Sequence, residues 1–262
     1  MIELPPSRLP TLDPWFATGA PGVAALAEHV LATGNGRWWA DRAVGPRVMA
    51  VSCAEHVLLR GDPQALSTTS LGPFASSCIE ASARFVPSLS AAFTRLDPWE
   101  RMLYVRQAAP VRSRHERGVT VWRLAAEHAP ALAALRSEAS WIHATWGGPL
   151  ALADSRAAWG AFRRGRLLAV ACSYIRGSRY EDIAVLTDPE HRRQQLALAC
   201  VNALCDDIEA RGRVPSWTCS RHNRPSRLLA WTAGFRLRHE YVHYTTGMFS
   251  VKNASEFART RA

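Results

Sequence analysis

The stretch Asp182-Ile-Ala-Val-Leu-Thr-Asp-Pro-Glu-His-Arg-Arg-Gln-Gln-Leu-Ala197 decides the fold, because it joins a strand signal to a helix start. Its first part is a short apolar run with β-branched residues, bounded by Asp188-Pro189, which predicts a buried strand. An amphipathic stretch then runs to Gly212. Four apolar residues recur there at every fourth position: Leu196, Cys200, Leu204 and Ile208. This spacing predicts a helix that packs one stripe against a sheet.

The start of this predicted helix is positively charged. Arg192 and Arg193 precede it, followed by Gln194 and Gln195. The first-turn N–H groups of a helix lack intrahelical partners and carry a partial positive charge. Cationic side chains would repel that end unless an anion binds between them, so the sequence predicts a phosphate or pyrophosphate site.

Three later segments extend the pattern: Pro215-Ser-Trp-Thr-Cys219, Asn223-x-x-Ser226 and Ala233-Gly-Phe235. Together with a strand followed by an Arg-x-x-Gly-x-Gly/Ala-like helix start, they resemble the GCN5-related N-acetyltransferases (GNAT) over roughly Val119 to Gly247. Four ordered matches are more specific than the loop alone. Gln195 stands where that family has glycine, and we expect it to present its N–H from helical dihedrals.

The resemblance implies an α/β fold (an α+β mixed sheet), with a GNAT-like acyl-CoA N-acyltransferase fold in the C-terminal half. It also implies acetyl-CoA, or another acyl-CoA, as cosubstrate, with no metal. The strand backbone would pair with the pantetheine arm, and the helix-start amides would hold the pyrophosphate. The coenzyme-binding residues implied in this way are Ala184, Val185, Leu186, Thr187, Arg192, Arg193, Gln194, Gln195, Leu196, Ala197, Asn223 and Ser226. For Asn223, which precedes Pro225, a helix-capping role is an equal alternative.

Acetyl transfer needs a base for the amine and an acid for the thiolate. Glu181 and Asp182 lie at the start of the central strand, where the bases of this family often sit. Strand alternation turns only one of them toward the cleft, and we prefer Glu181. His222 and Cys219 are second candidates for the base. Many relatives carry a tyrosine acid where this chain has Ala230, so Tyr244 or Tyr241 would substitute. Structural roles remain the alternative for all of these residues.

Residues 107–118 contain Pro110 and three arginines but no large apolar stripe, so they predict a boundary between two units. We expect an N-terminal α/β domain over 1–112, a GNAT-like N-acetyltransferase domain over 113–250 and a tail over 251–262. The first domain is a candidate degenerate GNAT-like unit, with two strands around Ala54-Glu55. In the second, residues 125–146 are expected to be mostly helical, and a hairpin turns at Arg164-Gly165.

Composition limits the partners. The formal net charge is +10, carried almost entirely by arginine, since Lys252 is the sole lysine. Scattered positive charge suits polyanions in general, but no zinc finger or RNA-binding aromatic motif accompanies it, so nucleic acid is an unlikely partner. The sequence has no apolar run of about eighteen residues, so it predicts no membrane span. The six cysteines lack disulfide or zinc spacing, and no secretory signal is visible, so we expect a cytoplasmic protein.

The sequence therefore predicts an N-acetyltransferase that transfers an acetyl or other acyl group directly from the coenzyme to a primary amine. A small-molecule acceptor is preferred, and the oligomeric state stays open. The alternative is a non-catalytic acyl-CoA-binding or regulatory module, which the absent tyrosine and Gln195 favour.

Overall fold

The computed structural model describes residues 1–8, 15–114 and 118–248, and it has a mixed sheet architecture flanked by helices. Twelve strands are present: β1 Ile2–Leu4, β2 Arg37–Ala40, β3 Val48–Cys53, β4 His56–Gly61, β5 Cys78–Glu80, β6 Leu96–Arg106, β7 Thr120–Arg123, β8 Ala158–Arg163, β9 Arg166–Arg176, β10 Tyr180–Thr187, β11 Val214–Ser220 and β12 Phe235–Thr246. Six α-helices are present: α1 Leu26–Thr33, α2 Val86–Ala92, α3 Ala129–Ala133, α4 Pro149–Asp154, α5 Leu196–Ala210 and α6 Arg224–Thr232. The predicted α/β class with a mixed sheet is confirmed.

The chain divides into two compact units that are not continuous in sequence. The first unit takes residues 1–18, 36–101 and 241–262, and the second takes 19–35 and 102–240. This division differs from the predicted domains 1–112 and 113–250. The described part of the low-apolar stretch, residues 107–114 and 118, lies inside the second unit, while the change of unit falls within the long strand β6. The predicted tail lies outside the described residues.

In the first unit the strand order is β1-β2-β3-β4-β5-β12-β6, with β4 and β5 parallel. The two strands predicted around Ala54-Glu55 are confirmed as β3 and β4, with Ala54 at φ 51° in the turn. Asp62 caps a 3-10 turn, Pro63–Ala65, by accepting from the Gln64 amide. The core of this unit packs α2 against one face of the sheet through Phe85, Leu89 and their neighbours.

In the second unit the strand order is β7-β8-β9-β10-β11-β6-β12, and β10 and β11 are its parallel pair. The predicted hairpin is confirmed as β8 and β9, because Arg164 and Gly165 both take positive φ, as a type I′ turn requires. The predicted stripe of α5 is buried against this sheet, together with Ile183, Trp217 and Phe235. This packing fixes the start of α5 at the end of β10.

The prediction that residues 125–146 are mostly helical is confirmed, but most of this helical stretch is of the 3-10 type. The only α-helical piece is α3, and the longest piece, Ser137–Trp146, is a 3-10 helix. Its side chains bond to the backbone of β9 instead of following a four-residue repeat: Thr145 Oγ1 donates to Tyr174 O at 2.6 Å and Trp146 Nε1 to Ser173 O at 2.8 Å. None of the helices in the described part of the chain is long and apolar enough to cross a membrane.

Candidate functional site

The parallel strands β10 and β11 are in register only over their first halves. The register starts at Tyr180 with Val214 and ends at Ile183 with Trp217, although β10 continues to Thr187 and β11 to Ser220. Burial changes at the same point, since residues 180–183 are buried and 184–187 are half-buried. The other edge of β10 stays paired with β9 as far as Thr187. The backbone of residues 184–187 therefore has one edge in the sheet and one edge facing a gap.

Asp182 lies where the two strands begin to part. Its Oδ1 accepts hydrogen bonds from Ser216 Oγ at 2.9 Å and Thr218 Oγ1 at 3.0 Å. Ser216 Oγ in turn accepts from the Gly22 amide at 3.1 Å. The carboxylate is buried, whereas Thr218 is half-buried, so a hydroxyl connects the acid to the less buried edge.

Glu181 faces a cluster of arginines instead of the gap. Its carboxylate accepts from Arg213 at 2.8 Å, from Arg211 at 3.0 Å and from the Ser173 hydroxyl, and Arg176 lies at 3.8 Å. The side chain is fully buried. Burial alone raises the pKa of this carboxyl, but the Ser173 hydroxyl and the guanidinium groups outweigh it and lower the pKa below its ordinary value. A base for an amine needs the opposite shift, so these contacts indicate a structural ion pair.

The turn into α5 has two residues in the left-handed region. Arg193 has φ 62° and Gln195, the N-cap residue of α5, has φ 59°. The expectation that Gln195 would keep helical dihedrals is wrong. The left-handed region is where glycine is free of strain, and a non-glycine residue there costs on the order of 1–2 kcal/mol. The position thus explains the family's glycine.

The side chains of this turn do not cap the start of α5, so the first-turn amides of the helix remain available. Gln195 Oε1 accepts from the Arg114 amide at 2.7 Å, which anchors the side chain. Arg192 and Arg193 are exposed, and no ion pair joins either of them to a described residue. Gln194 Oε1 is buried without a hydrogen-bond partner among those residues. Two free guanidinium groups beside first-turn amides are an arrangement that binds an anion.

Asp188, Glu190 and His191, in the same turn, hold ligand-type atoms within 4.8 Å of one another. Arg166 already pairs with this group, since its Nη2 lies 2.6 Å from Asp188 and 3.7 Å from Glu190. Hydrogen bonds to the Glu190 amide and to Arg166 outweigh burial and lower the pKa of Asp188. The trio is therefore explained as an ion-paired turn.

At α6 the alternative role of Asn223 is confirmed: its side chain accepts from the Ser226 amide at 3.1 Å and caps the helix. Ser226 Oγ accepts from Trp217 Nε1 at 3.0 Å, which ties α6 to β11. Ala230, at the position of the tyrosine in relatives, is fully buried in the core.

The remaining predicted residues are scattered. His222 is exposed after β11, and its amide donates to Ser220 Oγ at 3.3 Å. Cys219 is buried. Tyr244 belongs to the first unit, where it opposes Ile79 of β5 and packs against that unit's core. Of the predicted site, the second unit therefore contains the backbone of residues 184–187, the start of α5 and Asp182, whereas Tyr244 belongs to the first unit.

Sequence reasoning missed Tyr104 and the hydroxyl pair of β11. Tyr104 lies on β6, buried in the same core cluster as Cys219 and Ala230, and its hydroxyl donates to Met102 Sδ at 3.4 Å. Burial raises the pKa of Tyr104, and Arg227 opposes the rise. No local signal marked Tyr104, because β6 lies far away in the chain. Ser216 and Thr218 were visible as alternate hydroxyls in a strand, a pattern that puts both on one face.

Comparison with known proteins agrees with this geometry. A model of the GNAT acetyltransferase family matches residues 157–244. The chain is 58% identical over 212 residues to an uncharacterised N-acetyltransferase from the mutA 5′ region of Streptomyces virginiae, covering 80% of this chain and 90% of that protein. Its fold is similar to a GCN5-related N-acetyltransferase-like protein of Streptococcus suis 89/1591 (TM-score 0.66, 15% identity, 85% and 92% of the two chains). It is also similar to a tandem GNAT protein of the clavulanic acid biosynthesis pathway (TM-score 0.50, 12% identity, 86% and 88%).

The 58% identical relative named an N-acetyltransferase and the matching family model place the protein in the class of acyl-CoA-dependent N-acetyltransferases, and the parting of β10 and β11 in front of a helix start agrees with that class. The extent of the identity with the Streptomyces virginiae protein assigns the family: the chain belongs to the GCN5-related N-acetyltransferases.

Proposed function

We propose that the second unit transfers an acetyl group directly from acetyl-CoA to the primary amine of a small molecule. The observation that carries the proposal is the end of the β10–β11 register at Ile183 and Trp217, in front of α5. A direct transfer needs coenzyme and amine to reach one point from two sides. A gap within a sheet meets this need, because it opens on both faces.

The coenzyme contacts follow from the two halves of that gap. The backbone of Ala184–Thr187 would bind the amides of the pantetheine arm as a further strand does. The amides at the start of α5 would bind the pyrophosphate, with Arg192 and Arg193 adding charge-assisted hydrogen bonds. Gln195 in its left-handed conformation supports this role, because its backbone takes the shape that glycine gives to relatives.

The chemical step needs one proton removed and one returned. The amine nitrogen attacks the thioester carbonyl carbon, the C–S bond breaks, and the coenzyme leaves as a thiolate. We assign proton acceptance to Asp182, acting through Thr218, since the two are 3.0 Å apart at the parting of the strands. We assign protonation of the thiolate to Tyr104, whose hydroxyl shares the core cluster of Ala230. Glu181 is left out because its ion pairs hold it ionised.

A small amine is supported by aromatic surface in the second unit. Trp141 is 39% exposed and meets Tyr174 of β9 edge-on, with ring centroids 5.9 Å apart. Exposed indole beside a sheet binds flat or aliphatic groups through dispersion and area burial. By contrast, Trp146 is buried and serves the core.

The test combines binding and turnover. Calorimetry is expected to find one acetyl-CoA per chain, and changing Arg192 and Arg193 together to alanine should weaken binding at least about tenfold, or about 1.4 kcal/mol. The variant Arg84→Ala with Arg136→Ala is the matched control, since it removes the same charge from two other exposed arginines. Unchanged affinity in the first variant would remove the helix start from the proposal.

A non-catalytic acyl-CoA-binding module is the second candidate, favoured by Ala230 at the tyrosine position. Release of free thiol with a panel of small amines separates the two. Tight coenzyme binding with no thiol release from any amine would support the binding module.

A further inference from the structure

His243, on β12 in the first unit, is a buried polar side chain without a partner. It is 1% exposed, and neither Nδ1 nor Nε2 has a hydrogen-bond partner among the described residues. An imidazole has one donor and one acceptor when neutral, so two unmet groups are buried here. A buried polar group left unpaired costs about 1–3 kcal/mol. Such a cost suggests that something else binds there.

The side chains around His243 belong to the same unit, and one of them, Arg101, carries a positive charge. Tyr241 and Trp99 lie beside it, with ring centroids at 5.0 Å and 6.4 Å, and His56 lies at 6.3 Å. Arg101 is two residues from Trp99 on β6, and its guanidinium carbon lies 4.1 Å from the indole centroid. We call Trp99, Arg101, Tyr241 and His243 the β6–β12 cluster.

Arg101 has its own unmet group. Its Nε is buried without a hydrogen-bond partner, and no carboxylate of the described residues pairs with its guanidinium. The carboxylate of Glu55 forms an ion-pair contact with one of the histidines, because its Oε1 lies 4.0 Å from His56 Nε2. Its side chain is 57% exposed. Within the part of the chain that the structure describes, the cluster therefore contains a buried cationic edge without an anion beside it.

The chemistry of the unmet groups identifies the ligand class. The Nε edge of a guanidinium offers two parallel N–H donors that match the two oxygens of a carboxylate. The guanidinium of Arg101 lies over the indole of Trp99, and its Nε has no hydrogen-bond partner among the described residues. A metal cation is disfavoured because Arg101 would repel it.

We propose that the β6–β12 cluster binds a small carboxylate, with Arg101 and His243 as its donors. Three residues of the cluster, Trp99, Arg101 and Tyr241, are only half-buried. The cluster therefore extends to the protein surface with its polar groups. Burial and the charge of Arg101 lower the pKa of His243 to about 2. A bound anion would raise this pKa again. The site does not depend on the acetyl transfer proposed for the second unit, since none of its residues belongs there.

The experiment follows the histidine side chains of the ¹⁵N-histidine-labelled full chain by NMR. The His243 signals are assigned by their loss in His243→Gln. Titration with acetate and propionate is expected to move them saturably, with a dissociation constant on the order of 1 mM. His239→Gln, a change at an exposed residue of the same strand, is expected to leave the titration unchanged.

Arginine variants test the donor edge. Arg101→Lys keeps the charge but lacks the two-donor edge, and is expected to weaken carboxylate binding at least about tenfold. Arg84→Gln is the matched control at an exposed arginine. Equal shifts with chloride at the same ionic strength, or no saturation with carboxylate, would overturn the site. Tighter binding of inorganic phosphate than of carboxylate would overturn the ligand class.

Discussion

The two units have the same kind of parallel strand pair, but only one of these pairs opens. In the second unit β10 runs four residues past the last paired position, Ile183. In the first unit β4 also runs three residues past its last paired position, Leu58, but its partner β5 ends at Glu80, which is itself the residue paired with Leu58. Arg60, just beyond, binds the Glu80 carboxylate and its carbonyl oxygen, the latter at 3.2 Å. A cross-strand ion pair thus ties the first pair together where the second one parts.

The segments that follow the strands differ as well. After β10 comes α5, a fifteen-residue helix whose first turn supplies free amides. After β4, residues 62–77 contain only the 3-10 segments Pro63–Ala65 and Thr68–Phe74. The contrast teaches that strand order alone does not make a coenzyme cleft. The cleft also needs both strands of the pair to continue past their last paired residues, and a helix start behind them.

The largest effect is expected from Asp182→Asn. The change keeps the size of the side chain but removes the charge that accepts the amine proton, so kcat should fall on the order of 100-fold while acetyl-CoA affinity stays the same. Steady-state kinetics with calorimetry checks this. Asp206→Asn, on the exposed side of α5, is the control. Unchanged kcat would show that the parting strands do not hold the base.

A second comparison sets the buried acid of one unit against the half-buried acid of the other. Glu181→Gln leaves three arginines without their buried partner and should lower the free energy of unfolding by about 2–3 kcal/mol. Glu80→Gln breaks a more exposed pair with Arg60 and should cost about 1 kcal/mol or less. Urea denaturation measures both, and equal losses would contradict the contrast.

The left-handed turn gives a third test. Gln195→Val places a β-branched residue at φ 59°, where glycine would be free of strain. The valine variant should therefore have an unfolding free energy about 1 kcal/mol lower than that of the Gln195→Gly variant. The valine should also weaken acetyl-CoA binding, because the backbone must leave its conformation. If valine and glycine behave alike, then the conformation of this residue does not shape the pyrophosphate site.

The last prediction concerns acid stability in the first unit. The pKa of His243 is lowered in the folded state, so below about pH 6.5 the unfolded chain binds a proton that the folded chain does not, and stability falls as the pH falls. His243→Gln removes this loss, so its stability should fall less steeply, by up to about 1.4 kcal/mol per pH unit. Thermal unfolding between pH 7 and 5, in buffers without carboxylates, measures it. Parallel curves for both proteins would contradict the prediction.

The sequence predicted what depends on local pattern. The strand β10, the stripe of α5, the Arg164-Gly165 turn and the Asn223 cap each depend on residues a few positions apart. A periodic apolar stripe or a capping side chain can be recognised from residues within one or two turns of chain, so these elements were predictable.

What the sequence left out depends on distant partners. Glu181 was preferred as the base because strand alternation gives two faces but does not say which one carries Arg211 and Arg213. Gln195 was given helical dihedrals because a side chain held by Arg114 cannot be read from the turn alone. Tyr104 went unnoticed because β6 approaches β11 only in the folded sheet.

The interleaved composition of the units has a consequence for synthesis. The first unit includes residues 241–246 of β12, so its sheet lacks a strand until residue 246 has left the ribosome. The second unit includes residues 19–35, which emerge early and must wait for more than sixty further residues before their partners appear. A nascent chain that stalled between residues 101 and 240 would therefore leave both units unfinished.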